Sequence, residues 1–164
     1  MKTKLLRSYA AIIVTGFAAS FFAGSSMAES VAPEDVVFNM DDYTIEASLT
    51  GVAGDAENGR KLAFSRKKGN CLACHVMPIP EQSFHGEVGP SLWGIGETYN
   101  VEELRFRVVN YKLLNEEVIM PGFYRDPGEL KRPLKKFVGK TVLQAQEVED
   151  ILAYLMTLTE EQPE

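Results

Sequence analysis

Two cysteines one helical turn apart and an adjoining histidine, Cys71-Leu72-Ala73-Cys74-His75, constrain this chain more than any other part of its 164 residues. The spacing lets both thiols form thioethers to the two vinyl groups of one porphyrin, and it places the imidazole beneath the iron. The five residues therefore predict one covalently bound haem c, attached through Cys71 and Cys74 and ligated by His75. Two other readings fit less well. A dithiol redox pair follows a buried strand at a helix start, whereas Arg66-Lys67-Lys68-Gly69-Asn70 precedes Cys71. A zinc site needs four ligands, and the chain has only Cys71, Cys74, His75 and His85, with the neighbours Cys74 and His75 pointing apart.

The first residues set the expected compartment. Lys2, Lys4 and Arg7 form a cationic start, Ala10 to Phe22 an apolar stretch, and Ser26-Met27-Ala28 the small residues of a cleavage site. The apolar stretch is short against the roughly twenty residues that span a bilayer. Residues 1–28 thus read as a cleaved export signal, leaving no membrane span and a periplasmic chain, where thioether attachment of haem takes place. The remaining 136 residues suit one domain. They carry 14 basic and 23 acidic side chains, a formal charge of −9, which argues against a nucleic-acid partner.

Residues 29–54 mix acids with short β-favouring runs, Val36-Val37-Phe38 and Tyr43-Thr44-Ile45, and read as an irregular extension packed on the surface. Asp55 is a candidate N-cap for a helix over about Ala56 to Ser65, in which Gly59 costs helix stability and so suggests close approach by another backbone. Asn100 and Glu103 have capping-box spacing before Leu104, Val108 and Tyr111. Val148, Ile151, Leu152, Leu155 and Leu158 recur at helical spacing and predict an amphipathic helix from about Ala145 to Leu158. Met77-Pro78-Ile79-Pro80, Gly86 to Gly96 and Pro121 to Gly139 read as loops, so about half of the exported chain lacks regular structure.

This order resembles the class I cytochromes c over about Asp55 to Leu158. The resemblance implies an all-α fold around one haem, with a cytochrome domain at 55–160 behind the 29–54 extension. Gly89-Pro90-Ser91-Leu92 looks like that fold's Gly-Pro-x-Leu segment, which implies that the Pro90 carbonyl orients His75. For the second axial ligand, Met27 leaves with the signal, Met40 lies in the extension, Met77 is on the wrong face near His75, and Met156 is in the last helix. Met120 remains, in Val118-Ile119-Met120-Pro121-Gly122, with His85 as the rival ligand and apolar filling as the plainer role of Met120. A histidine/methionine haem is six-coordinate and favours ferrous iron, so it moves electrons and leaves no position for a substrate.

Longer strings narrow the resemblance. Arg66 to His75, Phe84-His85-Gly86-Glu87-Val88-Gly89-Pro90-Ser91-Leu92, Met120-Pro121-Gly122-Phe123-Tyr124-Arg125 and Ala145 to Leu155 together are similar to the SoxX family, small cytochrome subunits of bacterial thiosulfate oxidation. That resemblance implies a SoxA-like partner, transient contact with the carrier SoxY and a soluble cytochrome c acceptor, and no catalysis by this chain alone. Its complex would be an L-cysteine S-thiosulfotransferase. A free-standing cytochrome c shuttle and a haem-free thiol oxidoreductase are the competing functions. Ile119, Phe123 and Tyr124 are expected at a partner contact or in the haem-pocket wall. Arg66, Lys67 and Lys68 either guide an acidic partner or form a solvated face.

Overall fold

A computed structural model describes residues 29–163. The export signal expected at 1–28 lies outside the described residues. Helix α1, Ala56–Phe64, starts where Asp55 Oδ1 accepts the backbone N–H groups of Glu57 and Asn58 at 2.9 and 3.1 Å. Helix α2, Ile95–Thr98, is a single turn entered through Gly94 in the left-handed region. Helix α3, Val101–Asn110, opens on the expected capping box: Glu103 N–H donates to Asn100 Oδ1 at 2.8 Å, and Asn100 N–H to Glu103 Oε2 at 2.9 Å. Helix α4 is Ala145–Leu155.

The frame is the crossing of α1 on α4, with α3 packed against α4. A Cβ built on Gly59 would lie 1.9 Å from the Asp150 carbonyl oxygen, so only glycine lets the two backbones meet there. Below the crossing, Asp150 is buried and takes the Asp55 backbone N–H at 2.9 Å and the Asn58 amide at 2.7 Å. Leu62 and Ala63 from α1, Leu104, Val108 and Val109 from α3, and Val148, Ile151, Leu152 and Leu155 from α4 form one core. Among the described residues no helix is long and apolar enough to cross a membrane.

The extension is more deeply built in than a surface covering. Its only β-bridge among the described residues is the antiparallel one between Asn39 and Thr44, but Ile45 and Leu49 are buried in the core. Phe38 and Tyr43 meet Phe106 edge-on, with ring centroids 5.5 and 5.7 Å apart. A buried ion pair closes the contact. Arg105 donates to both Glu149 oxygens at 2.9 and 3.0 Å and to the Ile45 carbonyl at 2.8 Å, while the Leu49 N–H donates to Glu149 Oε1 at 2.9 Å. Two charges at 5% and 6% side-chain exposure are held because backbone groups of the extension complete their hydrogen bonding.

Candidate functional site

The segment before the first cysteine ends in Asn70, whose φ of 50° is unusual for a residue with a side chain and least costly for asparagine. From there Cys71–Ala73 forms one tight turn, and Cys71 O accepts from both Cys74 N–H at 3.0 Å and His75 N–H at 2.9 Å. The five motif residues are therefore fixed by their own backbone. A second segment runs beside them: Gly86 N–H donates to Leu72 O at 2.8 Å, Gly89 N–H to Cys74 O at 2.7 Å, and Leu92 N–H to Val76 O at 2.9 Å. Contact is close enough that a Cβ on Gly89 would lie 2.3 Å from His75 Cε1.

This second segment presents the Pro90 carbonyl to the imidazole, with His75 Nδ1 2.6 Å from Pro90 O. A carbonyl only accepts, so the proton sits on Nδ1 and the lone pair is on Nε2, the form in which a neutral histidine binds iron. Cys71 and Cys74 are both unlinked thiols. Burial pushes the Cys71 thiol up to about 12, the reverse of the activated thiolate that disulfide exchange requires. Among the described residues no three His, Cys, Asp or Glu side chains gather as a metal cage, which leaves the zinc reading without support. Two unlinked thiols, a histidine presenting Nε2 and glycines where side chains would collide fit a c-type haem.

Met120 is on a separate loop, half-buried against the core. Lys112 Nζ donates to Val118 O at 2.6 Å on one side of it. On the other, Phe123 and Tyr124 N–H groups donate to Val108 O and Val109 O, both at 3.2 Å, so the loop is tied to the end of α3 at two points. His85 is differently placed. Its Nδ1 accepts the Met77 N–H at 3.3 Å, and its Nε2–H points to Gln82 O at 3.0 Å and Ile79 O at 3.2 Å. Both ring nitrogens hold the Met77–Gln82 loop together. Phe123 and Tyr124 do not form an outward contact, because both are buried and the Tyr124 hydroxyl donates to Val31 O at 2.7 Å in the extension. Ile119, 77% exposed, is the outward residue of the three.

Comparison with known proteins agrees with this site. The chain is 37% identical to a chain of the SoxXA crystal structure from P. pantotrophus, with a TM-score of 0.72, over 80% of this chain and 99% of that one. It is 28% identical over 120 residues to a cytochrome c-553-like protein of Synechocystis sp., covering 73% of this chain and 83% of that protein. No family model matches. Fold and relatives together define a class I c-type cytochrome, an electron-transfer protein. Within that class the chain belongs to the SoxX family.

Proposed function

We propose that this chain is the electron-accepting subunit of a periplasmic SoxAX-type complex, exported by residues 1–28 and carrying one haem in the domain 55–160. The observation that carries the site is the 2.6 Å contact of His75 Nδ1 with Pro90 O, since it leaves Nε2 free for iron beside two thiols. Similarity to a chain of the SoxXA structure supports the choice of partner. Joining thiosulfate sulfur to a carrier cysteine releases the thiol proton and two electrons. One haem would take up one electron at a time, so each would pass on to a soluble cytochrome c acceptor before the next is received. Cys71 and Cys74 hold the haem, His75 and Met120 ligate its iron, and Pro90 fixes the imidazole proton and plane. With both cysteines used as thioethers the chain keeps no thiol nucleophile, so bond formation belongs to the partner.

Reconstitution with a SoxA-like subunit and a SoxY-like carrier tests this reading. Haem reduction on adding thiosulfate is expected only when partner and carrier are both present. Full reduction of the isolated chain would contradict it and favour a free-standing shuttle. The ligand set has its own test. Met120→His is expected to keep a low-spin spectrum and lower the potential, and Met120→Ala to open a coordination position. His85→Ala is expected to leave the ligation spectrum unchanged. If instead His85→Ala changes it and Met120→Ala does not, His85 is the ligand.

A further inference from the structure

Basic residues are unevenly placed on this acidic chain. Eight of the 14 in residues 29–164 fall in two short runs, Arg66-Lys67-Lys68 and the Lys131-Arg132-Pro133-Leu134-Lys135-Lys136-Phe137-Val138-Gly139-Lys140 segment, and neither run contains an acid. The rest of the chain after residue 28 sets six basic residues against all 23 acids. The fold brings the two runs together: Lys67 and Lys68 share one open cleft of about 880 Å³ with Lys136 and Lys140. Glu34 and Asp126 are the acids on its lining. Lys68 is paired with Glu147 at 2.6 Å, whereas the other seven cations form no ion pair among the described residues. Leu134 and Val138 stand 68% and 62% exposed between the lysines.

Lysines gathered around one cleft by a fold repel one another, and nothing in the core requires them there. An opposite charge from outside relieves that repulsion, and two exposed apolar side chains among the cations supply a contact that a small ion would not use. The excess of acid elsewhere disfavours a polyanion as extended as nucleic acid. We propose that the Lys67/Lys68/Lys136/Lys140 cleft is a salt-sensitive docking face for an acidic protein. The haem-attachment segment begins three residues after Lys68, and Tyr124, which also lines the cleft, is four residues past Met120. Docking here therefore touches the stem of both ligand-bearing segments without involving the ligands.

The mature, haem-loaded chain and a labelled oligoglutamate peptide as acidic probe test the proposal by fluorescence anisotropy. Raising ionic strength from about 0.01 to 0.15 M, which shortens the screening length from about 30 to 8 Å, is expected to weaken binding steeply. Lys136→Glu and Lys140→Glu are each expected to reduce low-salt affinity by at least about threefold, and Lys61→Glu, with the same change in net charge, by less than about twofold. Lys140→Arg is expected to retain binding, and the haem spectrum is expected to be the same throughout. Equal losses at Lys61 and Lys140, or no binding by the unaltered chain, would overturn the proposal. So would tighter retention on phosphatidylglycerol vesicles than on the peptide. A salt-sensitive dimer in sedimentation that Lys140→Glu abolishes would also overturn it, because the occupant would then be a second copy.

Discussion

Two irregular segments of this cytochrome, the extension at 29–54 and the basic segment at 126–140, have little regular structure and opposite roles. The extension is closed on itself by Val31 N–H to Leu49 O at 2.7 Å, and it is tied to distant parts of the chain by Ile45 N–H to Glu102 O at 3.1 Å and Tyr124 hydroxyl to Val31 O at 2.7 Å. Its anchor is the buried Arg105–Glu149 pair. In the basic segment the backbone bonds are local, such as Phe137 N–H to Leu134 O and Lys140 N–H to Phe137 O, and none of residues 130–140 is buried. Absence of helix or strand therefore does not decide whether a segment is structural. What decides it is whether its backbone polar groups are paired with buried charge from the core or with their own neighbours.

The largest effect is expected where that pairing is broken. Glu149→Ala leaves the Arg105 guanidinium buried without its carboxylate and is expected to cost about 3–5 kcal/mol in denaturant unfolding. Replacing both by apolar residues should recover much of the loss, and an unrecovered loss would show that the pair itself is not what holds the extension. Gly59→Ala drives a Cβ into the Asp150 carbonyl at the α1–α4 crossing and is expected to cost about 1–3 kcal/mol, with the spectrum of attached haem retained. Tyr124→Phe removes one bond to the extension, a loss of about 0.5–1.5 kcal/mol, and should speed amide exchange at the start of the extension. Lys140→Glu is expected to change stability by no more than about 0.5 kcal/mol, because its side chain stands in solvent. A destabilisation as large as that of Glu149→Ala would erase the contrast between the segments.

Much of the frame was legible from residue types with a direct local meaning. Asp55 and Asn100 announce helix starts because their side chains cap orphan N–H groups, and Gly59 announces a close crossing because no other residue fits. The motif at 71–75 pointed to haem c, which the cytochrome relatives also imply, and the resemblance to class I cytochromes pointed to the Pro90 carbonyl, which lies 2.6 Å from His75 Nδ1. The depth of the extension was not legible, since a charged residue in a helix ordinarily reads as surface. A signal was present nonetheless: Arg105 is four residues before Val109, and Glu149 falls between Ala145 and Leu152, so both lie within apolar arcs. Helix α2 is too short for periodicity to mark it. Tyr124 reads as a partner-contact or haem-pocket residue because nothing nearby reveals that Val31 comes back to meet its hydroxyl.

The central claim is that residues 71–75, oriented through Pro90, hold a c-type haem, and mass spectrometry of the denatured mature chain tests it most directly. One haem mass retained on the peptide containing Cys71 and Cys74 is the expected result, with no thiol left to alkylate. An unmodified polypeptide with two reactive thiols, after expression with a competent haem-attachment system, would contradict it.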